Sequence, residues 1–257
     1  MERSELAHRL FLSTIGSDSR ALALEYHLGL ELAEFCTAQN LDCPSVYSQA
    51  QAQSSGISRL WFHAPFAELS PAAIDPMVRS VTRRRYRQSI RAAQQLGVTH
   101  LVIHTGFVPM VYFPQWFIQQ SVLFWRRFLQ HTGPILIALE NVMEPDPTVQ
   151  LEIVRQVDDP RLRLCLDIGH ANSQVSQTPL TQWIDTLAPW IAHVHLHNND
   201  GGWDLHNPLG QGSIAMEPVL DRLLEACPNA TFTIENQSCF DSVQWLIQHQ
   251  YIKKESE

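Results

Sequence analysis

The chain has 257 residues, 45% of them hydrophobic and 17% charged, enough for a sizeable core. A formal net charge of −8 argues against a general affinity for nucleic acid or anionic membrane, and no apolar run approaches the ~20 residues of a membrane span. The opening MERSELAHRLFLSTIG lacks the long apolar stretch of a signal peptide, and five cysteines without paired spacing suit reduced thiols, so a cytoplasmic protein is expected.

In chain order, short apolar runs fall at 9–15, 30–35, 59–66, 99–106, 135–141, 163–169, 191–198 and 231–236, and each reads as a strand. Between them lie stretches of helical length. Residues 17–26 and 45–53 carry the weakest pattern. Residues 77–97 carry the clearest, with Val81, Ile90 and Leu96 assigned to a core side and Gly97 as the C-terminal cap. Further helices are expected at 114–130, 147–157, 179–188, 215–226 and 242–250, several starting near a proline, which suits a first helical turn. Eight strand–helix alternations predict an α/β fold of the closed (β/α)8 TIM barrel type. A doubly wound open sheet fits less well, because no glycine-rich phosphate loop follows the first strand. Without a linker or low-complexity segment, residues 1–257 read as a single domain.

Alternation within the strands places one ligand-type side chain at the inward-facing end of six consecutive strands. His63 shares a face with Trp61, His104 with Val102, Glu140 with Ala138 and Leu136, and Asp167 with Cys165. His195 shares a face with His193 and His197, and Glu235 with Thr231 and Thr233. The strand ends of a barrel surround one mouth, so three carboxylates would repel one another there and lose their hydration. A divalent cation removes both difficulties. A lone histidine at a strand end is usually a hydrogen-bonded core or rim residue, whereas six such groups in register predict metal binding. His193 is expected one layer deeper, as a structural barrel residue, and His197 at the rim. His8, His27, His131 and His249 are expected to have no role.

The ordered stretches HAPF (His63), IHTG (His104), LEN (Glu140), LDIGHAN (Asp167, His170), HLHNN (His195), DLHNPLGQG (Asp204, His206) and IENQ (Glu235) resemble the xylose-isomerase-like barrel superfamily, roughly from Leu10 to His249. That group contains sugar isomerases and epimerases and also endonuclease IV. For the epimerase branch, the resemblance implies one divalent ion (Mn²⁺, Zn²⁺, Co²⁺ or Mg²⁺) held by Glu140, Asp167, His195 and Glu235. The two Glu would move protons on either side of a cis-enediolate, and His170 would hydrogen-bond a substrate oxygen. His63, His104, Asp204 and His206 are then substrate contacts or ligands of extra ions. For the endonuclease branch, it implies three Zn²⁺ held by His63, His104, Glu140, Asp167, His170, His195, Asp204, His206 and Glu235, and all nine are ligand-competent here. The superfamily's barrels commonly pair, so a homo-oligomer is one expectation.

Charge helps to choose between the branches. No Lys or Arg occurs from Leu164 to Asp221, from Leu223 to Ile252, from Thr105 to Trp125 or from Asn141 to Val154. A duplex binder needs such cations for phosphate neutralisation, so nucleic acid is not the expected partner. Only Arg20 and Arg79 are placed to meet a substrate phosphate. The expected function is a divalent-metal-dependent isomerase or epimerase of an unphosphorylated sugar-like compound, with an endonuclease-IV-type phosphodiester hydrolase as the alternative. Arg83, Arg84, Arg85, Arg87 and Arg91 read as a solvated outer helix face. The aromatic segment 106–117 is a sugar-stacking wall, a self-association surface or ordinary loop packing, and Trp203 belongs to a small lid or a turn.

Overall fold

The computed structural model describes residues 3–253. Eight parallel strands form a closed barrel in sequence order: β1 (Leu10–Ser13), β2 (Gly29–Leu32), β3 (Leu60–His63), β4 (His100–His104), β5 (Leu136–Glu140), β6 (Leu162–Asp167), β7 (Ile191–Leu196) and β8 (Thr231–Ile234). Closure comes from β8 pairing with β1, in the register Leu10 with Phe232, Phe11 with Thr233 and Leu12 with Ile234. The connecting helices are α1 (Ser19–Glu25), α2 (Pro44–Ser54), α3 (Pro76–Gln95), α4 (Pro114–Leu129), α5 (Thr148–Val157), α6 (Ile168–Ala171), α7 (Leu180–Leu187), α8 (Met216–Ala226) and α9 (Phe240–Gln248). Among the described residues, no helix is long and apolar enough to cross a membrane, and all five cysteines are unpaired.

Strand alternation divides the core in two. Phe62, Ile103, Leu139, Leu164, Val194 and Phe232 face outward into the helix ring. Phe11, Trp61, Val102, Ala138 and Cys165 fill the barrel interior below the mouth. His193 lies in this layer, its ring stacked on Trp61 with centroids 4.0 Å apart. Phe11 and Trp61 each contribute roughly 1.5–3 kcal/mol by burial. This packed layer forms the floor beneath the strand C-terminal ends.

Helix starts follow local chemistry. Proline occupies the first turn of α2, α3 and α4, and the Asp75 carboxylate caps α3 by accepting from Met77 N at 2.7 Å. Gly97 follows α3 with φ +73°, as a helix stop requires. Val81 corrects the expected core side of α3, because it is exposed while Thr82, Tyr86, Ser89 and Ile90 are buried. Nine residues separate Val81 from Ile90, which at about 100° per residue puts them on opposite faces. The one-turn helix α6 has no counterpart among the expected elements, since four residues are too few for a periodic signal.

In segment 106–117, Phe107 and Phe117 are buried and Tyr112 stacks on Trp116, which is loop packing, whereas Met110, Val111 and Phe113 are exposed. In the basic run, Arg85 pairs with Asp42 and Arg83 lies over the Phe124 ring, both on the outer surface.

Candidate metal centre

The strand ends bring the expected carboxylates and imidazoles together at one mouth. Ligand atoms of Glu140, Asp167, His195 and Glu235 all lie within 4.8 Å of one another, and all four residues are buried. From His195 Nδ1, the nearest oxygens of Glu140, Glu235 and Asp167 are at 3.3, 3.6 and 3.7 Å. The second oxygen of Glu140 lies 3.3 Å from His63 Nε2 and 3.2 Å from His104 Nε2. A third set forms at the edge of the mouth, where Asp204 Oδ2 is 3.1 Å from His170 Nε2 and 2.9 Å from His206 Nε2.

Local structure explains how residues outside the strands arrive. Asp167 ends β6, and its Oδ1 accepts from His170 N at 2.7 Å, capping α6. The Asp-x-x-His spacing is therefore one helical turn that places His170 beside Asp167. After β7 the chain doubles back, and Asn198 and Asn207 exchange backbone hydrogen bonds of 2.9 and 2.8 Å. That fold-back carries Asp204 and His206 over the mouth. His206 holds φ +49°, a left-handed conformation that costs a non-glycine residue on the order of 1 kcal/mol and is often retained at functional positions.

Hydrogen bonds on the far ring nitrogens settle which way the imidazoles can serve. Nδ1 of His63, His170 and His206 lies 3.0, 2.8 and 2.8 Å from the carbonyl oxygens of Ala64, Asn141 and Glu235. A carbonyl only accepts, so each Nδ1 carries the proton and donates. The neutral ring then turns a lone pair on Nε2 toward a carboxylate. His195 does the same with its nitrogens exchanged, since Nε2 donates to Glu31 Oε1 at 3.1 Å and Nδ1 faces Glu140, Glu235 and Asp167. His195 Nδ1 and Glu140 Oε2 are buried without a hydrogen bond. Lone pairs facing carboxylates need either protons or a cation between them. Without an ion, the pKa values of His63, His170 and His195 rise well above the ordinary histidine value, and that of His206 to about 9. Burial opposes each rise, and in every case neighbouring acceptors and negative charges outweigh it.

The donor set of buried carboxylate oxygens and oriented imidazoles suits a divalent ion such as Zn²⁺ or Mn²⁺. His197 corrects an expectation, because it is fully buried rather than at the rim, and its Nε2 is 3.0 Å from both Asp167 oxygens. Gly169 packs so closely that a methyl group there would overlap the His197 ring. His193 is the expected structural residue. His8, His27, His131 and His249 take no part in the site.

Three contributors escape a reading of the sequence. Glu31, in β2, is fully buried beneath His195. Its signal is a carboxylate on the inward face of LELAEF, alternating with Gly29 and Ala33. Asn141 brackets Asp167, donating to its carbonyl at 3.0 Å and accepting from its amide at 2.9 Å. Glu144 accepts from Thr105 and from Val142 N, tying together the loops after β4 and β5. Arg20 and Arg79 donate to backbone carbonyls, of Ala52 and Ser55 and of Ala73 and Ile74 respectively. On the segments that follow β3, β4 and β7, Phe66, Met110, Val111, Phe113, Trp203 and Leu205 are exposed.

Comparison with known proteins agrees with this fold. Over 196 residues the chain is 31% identical to the protein MJ1311 of Methanocaldococcus jannaschii, a match covering 71% of this chain and 66% of that protein, just under two thirds of its length. Its structure is similar to a D-tagatose 3-epimerase-like protein, with TM-score 0.77, 25% identity, and 95% and 96% of the two chains covered. It is also similar to the TTHB071 protein from Thermus thermophilus soaked with ZnCl2, with TM-score 0.75, 24% identity, and 97% and 100% covered. A family model matches residues 29–249, and the chain belongs to the xylose isomerase-like TIM barrel family.

Proposed function

We propose that the protein is a divalent-metal-dependent isomerase or epimerase of a sugar-like polyhydroxy carbonyl compound. The observation that carries this reading is the set Glu140, Asp167, His195 and Glu235, whose ligand atoms lie within 4.8 Å of one another with a histidine lone pair turned on three carboxylates. The similarity to a D-tagatose 3-epimerase-like protein supports the substrate class.

When bound, the ion supplies Lewis acidity to the substrate oxygens. Asp167 and His195 hold their positions through Asn141, His197 and Glu31. Glu140 and Glu235 share the proton chemistry. One takes a proton from the carbon next to the carbonyl, and the other returns one. In the metal-free site Glu140 is held well below the usual carboxylate range; burial opposes this, and the facing histidines outweigh it. His170, Asp204 and His206 line one side of the mouth, where substrate hydroxyls would hydrogen-bond, and His63 and His104 line the other. Phe66, its ring 4.3 Å from and nearly parallel to His104, offers an apolar wall suited to the C–H face of a sugar.

Replacing Glu140 by Gln is expected to abolish exchange of the substrate α-proton with solvent deuterium. Undiminished exchange would refute the role given to it.

A second reading rests on a different observation. Glu140 offers one oxygen to the four-residue set and the other to His63 and His104, while Asp204 gathers His170 and His206. Three such sets would suit three clustered Zn²⁺ and phosphodiester hydrolysis. The scarcity of Lys and Arg in the segments after the strands disfavours a DNA substrate. Metal analysis separates the two: one ion with activity restored by Mn²⁺ or Co²⁺ supports the first, and three retained Zn²⁺ with nicking of abasic DNA supports the second.

A further inference from the structure

Glu31 is fully buried, with an oxygen within 4.8 Å of ligand atoms of His63, His195 and Glu235. Both of its oxygens are engaged. Oε1 accepts from His195 Nε2 at 3.1 Å, and Oε2 accepts from His193 Nε2 at 3.0 Å and from Thr233 Oγ1 at 2.7 Å. His193 is in turn held by Thr231, 2.7 Å from its Nδ1, and by its stack on Trp61. Glu31 is thus fixed from below by His193 of β7 and Thr233 of β8 and presents its other oxygen to His195.

Nδ1 of His63, His170 and His206 hydrogen-bonds to neutral backbone carbonyls at 3.0, 2.8 and 2.8 Å, with the Cys36 thiol also 3.3 Å from that of His63 and carboxylates no nearer than 3.4 Å to that of His170 and 3.7 Å to that of His206, whereas Nε2 of His195 hydrogen-bonds to a buried carboxylate at 3.1 Å. A carboxylate partner holds the ring more firmly and makes its other nitrogen a stronger electron donor. With three donors already on it, Glu31 serves as an acceptor behind a ligand. We propose that Glu31 is a positioning residue for the metal centre, keeping the His195 proton on Nε2 and the lone pair of Nδ1 turned on the ion. This rests on the metal-binding reading above.

The test uses metal-free protein titrated with Zn²⁺ against a chromophoric chelator, comparing wild type with Glu31→Gln. The expected result is affinity about 10- to 100-fold weaker in the variant. Histidine-¹⁵N-labelled, Zn²⁺-loaded wild type should show His195 protonated on Nε2, with a downfield, slowly exchanging proton identified by its loss in His195→Asn. A folded Glu31→Gln protein with unchanged affinity overturns the inference. So does a wild-type His195 protonated on Nδ1, a result independent of whether the variant folds. Failure of the wild type to take up Zn²⁺, Mn²⁺ or Co²⁺ refutes the metal reading itself, and the inference with it.

Discussion

His104 Nε2 lies 3.2 Å from Glu140 Oε2, on the side of that carboxylate away from His195, whose Nδ1 is 3.3 Å from Oε1. The two oxygens of Glu140 therefore face different partners. An ion held by Glu140, Asp167, His195 and Glu235 loses a direct ligand in Glu140→Gln but only a neighbour of the far oxygen in His104→Ala. Glu140→Gln is expected to weaken the first ion at least tenfold and His104→Ala less than about threefold, a difference of at least about 0.7 kcal/mol. Competition titration with a chelator measures both, and equal losses would place His104 among the ligands of that ion.

Loading the site should also change stability and its pH dependence. At a free-ion concentration 100 times the dissociation constant, binding adds about 2.7 kcal/mol, which for a chain of this size raises Tm by roughly 5–10 °C. In the metal-free protein, His206 is raised to about 9; burial opposes this, and the hydrogen bond to Asp204 outweighs it. A raised histidine contributes stability that is complete below the ordinary imidazole value and lost as pH rises through about 9. Metal-free protein should therefore lose stability between roughly pH 6.5 and pH 9. Ion uptake near pH 7 should release protons into a weak buffer. Calorimetry across that range, with and without ion, checks both statements.

The barrel and most of its mouth are legible in the sequence because each strand repeats a period of two and each strand end carries a chemically unusual residue. Glu140, Asp167, His195 and Glu235 stand at equivalent positions on β5 to β8, or just beyond, and alternation alone puts them on one face. Glu31 is not found by that rule, because the expected strand at 30–35 puts it at the start rather than the end, and its meaning depends on His193 and His195, over 160 positions away. His197 follows β7, and alternation alone cannot tell a rim position from one folded back onto Asp167. Val81 fails for a simpler reason: its apolar identity points to the core, and its angle around α3 points away from it.

Gly169 connects such a hidden contact to a visible motif. The glycine of LDIGHAN has no left-handed φ, so its requirement is space for the His197 ring, which is hydrogen-bonded to Asp167. Gly169→Ala must push that ring away, costing roughly 1–3 kcal/mol of stability as an overpacked site. It should also weaken ion binding about tenfold by releasing Asp167, on the scale seen when support of a ligand is lost. Denaturant unfolding and chelator competition on the same variant separate these effects. Unchanged ion affinity in the destabilised protein would show that His197 does not hold Asp167 in place.

Barrel closure offers a prediction independent of any metal. Asp18, immediately before α1, accepts from Cys239 N at 2.8 Å, Phe240 N at 3.1 Å and Ser238 Oγ at 2.6 Å, so it caps α9 from the other side of the β1–β8 seam. Its pKa is lowered: partial burial opposes this, and the hydrogen bonds from Ser238, Cys239 and Phe240 outweigh it. Asp18→Ala is expected to destabilise the protein by about 1–2 kcal/mol near neutral pH, as loss of a helix cap does. A lowered aspartate contributes stability that is fully present above its unfolded value and disappears as pH falls through the folded one. The gap between wild type and Asp18→Ala should therefore be constant from pH 5 to 7 and shrink towards zero as pH falls below the ordinary aspartate value and through the lowered folded one. Urea titrations at several pH values measure it, and a gap that persists at the acid end would mean that Asp18 acts through packing rather than as a charged cap.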